Sequence, residues 1–299
     1  MDLSVIIVSF NTRQLLDACL RSVFAAEAPP GGVEVIVVDN GSVDSSADMV
    51  SREYPTVKLV TCPDNRGFSA ANNLGSAVAS GEYLLFLNSD TILSHRALSQ
   101  PLEFMRANND VGALTVQLVY PTGERDPDNH RGFPTPWNAF CHFSGLSRLW
   151  RNQPRFNGYF RSYEDFNQVH QVPVIAGSYM LMSRALDQLL GGWDETYFFY
   201  GEDIDYCYRI NEAGYRIIYY PLVEVIHYKG ASSGLRKESA DIARPPRETR
   251  IKVAQESVRA MEIFYQKFYR DKYLRLTTAL VLAGIRLRGW LRVLKHRLT

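Results

Sequence analysis

The polar residues best suited to chemistry fall in short clusters, each placed against an apolar run. Ser9-Phe10-Asn11 follows Leu3–Val8, Asp39-Asn40-Gly41-Ser42 follows Val33–Val38, and Asn88-Ser89-Asp90 follows Tyr83–Leu87. Asn65-Arg66-Gly67 stands just ahead of a helical pattern, so its amides and the helix N-terminus can face a phosphate. Arg66 can equally be a solvent-facing loop residue. A hard divalent cation, Mg²⁺ or Mn²⁺, takes oxygen ligands and prefers few protein carboxylates beside substrate phosphate oxygens. Asp90, closing a continuous apolar run, suits that rule. Asx residues opening a helix near Ser94 would account for Ser89 but poorly for Asp90.

A second acidic group lies far downstream: Trp193-Asp194-Glu195, then Glu202-Asp203-Ile204-Asp205. Glu202–Ala213 reads as a helix with Ile204, Cys207, Tyr208 and Ile210 as its apolar positions. Acidic residues in its first turn stabilise the helix dipole whatever else they do. Asp205 precedes Arg209 by four residues and is assigned an intrahelical ion pair. His227 ends a short strand, Val223–Ile226; a lone histidine there is commonly a surface or core residue, and neutral imidazole is also a competent metal ligand.

Elements in alternation must position these groups. Leu3–Ser9, Val33–Val38, Val57–Thr61 and Tyr83–Leu87 read as strands, separated by helical patterns over Thr12–Ala26, after Asp44 and over Ser69–Ala79. Strands alternating with helices imply an α/β fold with a mostly parallel sheet, which binds ligands at the carboxyl ends of its strands. The first strand lacks a following GxGxxG and no GxxxxGK[ST] occurs, which disfavours dinucleotide-binding oxidoreductases and P-loop NTPases.

Composition narrows the class further. The chain has 299 residues, 46% hydrophobic and 22% charged, with a net charge of +1 that gives no reason to expect nucleic acid as a partner. Its four cysteines, Cys19, Cys62, Cys141 and Cys207, are widely spaced without a CxxC pair, so free thiols in a reducing cytoplasm are expected. The N-terminus reads as a first core strand rather than a signal peptide.

Taken in order, SVIIVSFN (Ser4–Asn11), VVDNGSVD (Val37–Asp44), NRGFSAANNLG (Asn65–Gly75), LFLNSD (Leu85–Asp90), GGWDETYFFYGEDIDYCYRINEAGYRI (Gly191–Ile217) and His227 resemble family 2 glycosyltransferases, in particular the rhamnosyltransferase-like branch. The resemblance spans roughly residues 3 to 230. It implies a GT-A fold: a nucleotide-sugar-binding half (1–119) and an acceptor-binding half (120–230) around one continuous sheet. It also implies an inverting, metal-dependent transferase of bacterial cell-surface polysaccharide synthesis, with a dTDP-L-rhamnose-like or UDP-sugar donor and a saccharide or lipid-linked saccharide acceptor. Asp39 becomes the reader of the uracil or thymine ring N–H, flanked by Ser9, Phe10 and Asn11; its alternative is an Asx turn. Asn65, Arg66 and Gly67 fall to the diphosphate, Asn88 and Ser89 to the sugar or ribose, and Asp90 and His227 to the metal. Asp203 takes the general-base position. Trp193, Asp194 and Glu202 are placed near the acceptor, where the Trp either stacks on a sugar ring or fills core. Two positions depart from the usual pattern: Asn88 replaces the first Asp of Asp-x-Asp, and Ala71-Asn72-Asn73 replaces Ala-Arg-Asn.

Two other classes stay open at this level, a sugar-nucleotide pyrophosphorylase and a non-catalytic glycan-binding relative. Residues 120–172 are polar and aromatic, fit for an acceptor pocket, but no single side chain there is assigned. Residues 231–250 read as a flexible loop able to close over a donor. Residues 251–299 read as C-terminal helices; from Arg270 to Thr299 eight Lys/Arg stand against one acidic residue. Interleaved with Leu287, Leu291, Leu294, Leu298 and Trp290, they suit a helix lying on an anionic bilayer, peripheral on the cytoplasmic face. Packing on the protein's own domain or on a partner chain is the alternative.

Overall fold

A computed structural model describes residues 1–228 and 247–298, the side chains of 247, 249, 250 and 295–298 aside. The first half runs β1 (Leu3–Ser9), α1 (Arg13–Ala25), β2 (Val33–Asp39), α2 (Ser46–Glu53), β3 (Lys58–Thr61), α3 (Phe68–Val78), β4 (Tyr83–Asn88), β5 (Thr91–Leu93), α4 (Ser99–Ala107) and β6 (Val111–Val119). The second half runs β7 (His130–Arg131), α5 (Pro136–Phe143), α6 (Leu146–Leu149), β8 (His170–Gln171), β9 (Val174–Ile175), β10 (Tyr179–Ser183), α7 (Arg184–Leu190), α8 (Glu202–Glu212) and β11 (Arg216–His227). Two long helices close the chain, α9 (Arg247–Phe268) and α10 (Arg275–Leu298).

Nine strands form one sheet in the order β3-β2-β1-β4-β10-β6-β11-β5, with β8 also paired to β11. The first four are parallel, as the β/α alternation requires, and β1 sits where the strand order turns. β10 then enters antiparallel between β4 and β6, which welds the second half of the chain into the sheet of the first. The period-2 pattern explains the layering. Val5 and Ile7 of β1, Val35 and Val37 of β2, and Leu85 and Leu87 of β4 face one core. Ile6, Ile36, Val38, Leu84 and Phe86 face the other.

Two expectations shift. A short strand, β5, intervenes after Asp90, so the helix expected near Ser94 begins at Ser99. That strand forms because Thr91–Leu93 pairs with Val225–His227. The strand expected over Val223–Ile226 is the end of the longer β11, whose register against β6 slips between Tyr220 and Glu224, where Pro221 has no N–H to give the ladder.

Burial outweighs surface pairing in joining the halves. Trp193 is 2% exposed, edge-on to Phe68 and Phe86 and packed on Tyr206. Deleting such a ring costs about 3–5 kcal/mol, whereas an exposed pair such as Arg216–Asp110 contributes under ~1 kcal/mol. Asn73 of α3 completes the joint: its amide nitrogen donates to the Trp193 carbonyl at 2.9 Å, and its amide oxygen accepts from the Trp193 N–H at 2.8 Å.

α9 docks on the second half of the chain through Ala260, Phe264, Tyr265 and Tyr269, which meet Tyr197 and Tyr208 in a third apolar cluster. Lys267 anchors it, donating to Asp194 at 2.5 Å and to the fully buried Asp205 at 2.6 Å. α10 folds back on α9, where Gly289 lies so close to Val258 that a Cβ would stand 2.5 Å from it. The expected 231–250 loop lies mostly outside the described residues; residues 247–250 belong to α9.

Candidate active site

Sheet register aligns the polar strand ends. Ser9 lies opposite Asp39 across β1 and β2, and Val8 opposite Asn88 across β1 and β4. Beneath them Ser9, Thr12 and Ser89 form a buried hydroxyl chain with 3.0 Å links, so Ser9 and Ser89 brace the site floor. Phe10 remains 38% exposed at its edge. Asn11, in the left-handed region at φ 54°, accepts from the Val43 N–H at 2.8 Å, tying the loop after β1 to the loop after β2.

Asp39 divides its carboxylate. Oδ2 accepts from the Ser42 N–H, three residues on, at 3.1 Å and so caps the turn after β2, while Oδ1 is buried without a hydrogen-bond partner among the described residues. A buried acceptor left unpaired is costly, and an incoming N–H removes that cost. Across from it, Asn65 accepts from the Gly67 N–H at 2.9 Å and from the Asn40 amide at 3.1 Å. These bonds hold Gly67 at φ 87°, where its backbone abuts Phe198 and starts α3. The Arg66 side chain is exposed. Asn88 donates to the Ser178 hydroxyl at 3.3 Å.

The β5–β11 pairing brings Asp90 and His227 together although 137 positions part them in sequence. His227 Nε2 lies 3.3 Å from Asp90 Oδ1, and its Nδ1 lies 3.4 Å from Asp126 Oδ2. All three residues are buried. Burial alone would push the imidazole down, but Asp90 and then Asp126 outweigh it and push it up to about 9. Asp90 Oδ1 has no well-directed hydrogen bond among the described residues. A carboxylate oxygen and an imidazole nitrogen facing each other, the imidazole steered from behind by a second carboxylate, fit a divalent cation. Asp126 was not singled out by sequence; it sits in a polar turn that folds back on the end of β6, its N–H donating to the Leu118 carbonyl at 2.9 Å, a placement only the fold shows.

Asp203 opens α8 beside Glu202. Its Oδ2 accepts from the Arg131 guanidinium at 2.6 Å, both side chains being about 15% exposed. Arg131 is a second residue that sequence reading missed. It belongs to β7, which pairs with β9, and the chain then runs to Ser178, whose carbonyl accepts from the Asn88 N–H at 3.0 Å. This route links the Asp203 side of the site to the strand-end side. Glu202 is buried with Oε2 unpaired among the described residues; burial, then the neighbouring Asp203 charge, push its carboxyl up to about 8, which favours the protonated form. Trp193 fills core as described above. Asp194 is held by Thr196 and Lys267, so both of its oxygens already have protein partners.

The glycosyl transferase family 2 model matches residues 4–191, more than half of the chain. The chain belongs to that family. This family 2 glycosyltransferase is 28% identical over 243 residues to the N-acetylglucosaminyl-diphospho-decaprenol L-rhamnosyltransferase of Mycobacterium tuberculosis, covering 78% of each chain. It is also 28% identical over 172 residues to the Escherichia coli rhamnosyltransferase WbbL, covering 54% of this chain and 61% of that one. Among solved structures it is similar to a Pyrobaculum calidifontis mannosyltransferase in complex with GDP-Man and Mn²⁺, with TM-score 0.58 and 21% identity over 99% of this chain and 72% of the other. S. aureus TarS 1-349 gives TM-score 0.54 at 16% identity, over 91% and 73%. The fold is therefore GT-A, as the motif order implied, and the enzyme is a glycosyltransferase. The pyrophosphorylase reading is set aside by the family match.

Proposed function

We propose that this glycosyltransferase moves L-rhamnose from dTDP-L-rhamnose, with inversion, onto a glycan or lipid-linked saccharide in cell-surface polysaccharide synthesis. The observation that carries the chemistry is the pair of preformed groups around the strand ends: Asp90–His227–Asp126 on one side and Asp203–Arg131 on the other. The donor sugar is supported by the names of the Mycobacterium tuberculosis and Escherichia coli relatives.

In this reading the unpaired Asp39 Oδ1 accepts the ring N–H of the base, Phe10 lies against the base, and the Asn65–Gly67 turn faces the diphosphate. Asp90 and His227 hold a divalent cation, which supplies positive charge against the departing diphosphate. Inversion requires one base to take the proton of the attacking hydroxyl. Asp203 does so, its carboxylate aimed by Arg131, while neutral Glu202 donates a hydrogen bond to the acceptor. A UDP-sugar remains the second reading, because Asp39 meets the same N–H in uracil and in thymine.

The test is a thermal-shift panel of dTDP, UDP, GDP and their sugars, with and without Mn²⁺, followed by a transfer assay. Preferential, metal-dependent stabilisation by dTDP or dTDP-rhamnose is expected, since a ligand of the native state raises its melting temperature. Stabilisation by UDP alone would overturn the donor. Asp203→Asn should lower transfer by about 100-fold or more, the usual worth of a general base, with donor stabilisation unchanged. Full transfer by that variant would refute the base assignment.

α10 supports a second element of the proposal, attachment to a membrane surface. Leu276, Leu280, Leu287, Trp290 and Leu291 are all more than half exposed along it. Among the described residues no helix is long and apolar enough to cross a membrane, so the proposed mode is an interfacial helix.

A further inference from the structure

Away from the Asp90–His227 pair, the insertion between β6 and β10 gathers two histidines and a glutamate. His130 Nε2 lies 3.8 Å from Glu164 Oε2, and His170 Nε2 lies 3.4 Å from the same oxygen. One ligand atom from each of the three falls within 4.8 Å of the others. We propose that His130, Glu164 and His170 form a second divalent-metal site, one that takes a borderline-soft ion such as Zn²⁺ and pins the insertion to the sheet.

Orphaned nitrogens point to a ligand here. His130 Nε2 and His170 Nε2 are both buried without a hydrogen-bond partner among the described residues. Both rings face the same carboxylate oxygen, and a single cation between them would engage both nitrogens and that oxygen at once. The second sphere is also in place. His170 Nδ1 lies 2.8 Å from the Gln168 carbonyl, which makes Nδ1 the donor and leaves the Nε2 lone pair for a metal. Arg161 donates to both Glu164 oxygens, fixing the carboxylate while leaving Oε2 lone-pair capacity. Ligand atoms of a tetrahedral zinc site stand roughly 3.3 Å apart, given metal–ligand bonds of about 2.0–2.1 Å. The two separations from Glu164 Oε2, 3.8 and 3.4 Å, need only a small contraction, and all three ligand atoms already lie within 4.8 Å of one another.

The three ligands come from β7, a turn and β8. β8 is hydrogen-bonded to β11, and His130 adjoins Arg131, the partner of Asp203. An ion here would close loops of about 34 and 6 residues, the longer holding only the short helices α5 and α6, and closure of the unfolded chain is what such clips offset. The role is positional: the ion holds β7, and β7 holds Arg131.

The experiment uses the full chain in an Asp90→Asn background, so that metal at the donor site does not confuse the count. Dialysis against Zn²⁺ followed by metal analysis should leave one equivalent bound, and Co²⁺ should give the strong visible absorption of a four-coordinate site. Adding His170→Ala, or independently Glu164→Gln, should lower affinity by at least ~100-fold and abolish the absorption, with circular dichroism confirming the fold. Retention of the equivalent in both variants would overturn the proposal, as would the lack of a tightly bound equivalent in the parent. Neither result depends on donor identity or on transfer activity.

Discussion

Glu202 and Asp203 are neighbours with opposite fates. Asp203 meets Arg131, whereas Glu202 is packed away with an unpaired oxygen and its carboxyl lies far above the ordinary 4.5, at about 8. A folded-state value above the unfolded one means that the native chain binds the extra proton between those two pH values. The contribution of Glu202 to stability is therefore fullest below about 4.5 and is lost as pH rises through about 8. Glu202→Gln keeps the neutral shape and removes the proton linkage. The variant should melt above the parent at about pH 9 and lose that advantage near about pH 5. Parallel melting curves across the range would show that Glu202 is not held neutral by the fold.

Among the elements, the turn into α3 concentrates the strongest backbone constraint at the site. Gly67 has φ 87° and ψ 171°, a region open in practice to glycine alone, and a Cβ there would stand 2.6 Å from the Phe198 carbonyl oxygen. Strain of this kind costs about 1–3 kcal/mol before any clash is counted. Gly67→Ala should lower unfolding free energy by at least that amount in urea titration, and it should weaken nucleotide binding because the Asn65–Gly67 turn moves with it. An unchanged urea midpoint would mean the turn adapts freely. β7 makes the complementary point: it has two residues, too few for any periodic signal, yet it carries both His130 and Arg131.

At the scale of the whole molecule, the C-terminal hairpin divides its labour. α9 is committed to the second half of the chain through Phe264, Tyr265 and Lys267, while α10 presents leucines and Trp290 outward. Of the two expectations for the terminal helix, packing is met along one side, where Gly289 of α10 abuts Val258 of α9, and the membrane surface stays a proposal for the exposed side. Leu287 and Leu291 are 60% and 53% exposed, so changing both to Glu should leave the melting temperature nearly unaltered. Each leucine withdrawn from a bilayer forfeits about 1.5–3 kcal/mol, which predicts a fall of at least ~100-fold in partitioning to anionic vesicles. Failure of the parent chain to cosediment with such vesicles at low salt would remove the membrane from the proposal.

What sequence alone determined were the features written locally. The apolar alternation specified the parallel strands, and the residues that end them had to lie on one edge because parallel strands end together. The motif order named the family, and the spacing of Asp205 and Arg209 specified their ion pair at 2.6 Å. Tertiary structure decided whatever depends on chain-distant registers. The β5–β11 pairing sets His227 against Asp90, the turn before β7 supplies Asp126 behind it, and β7 delivers Arg131 to Asp203. It also sent Trp193 to the core, because Phe68, Phe86 and Tyr206 converge on it from three separate elements. Periodicity reports which face a residue occupies; it carries no information on which remote side chain meets it there.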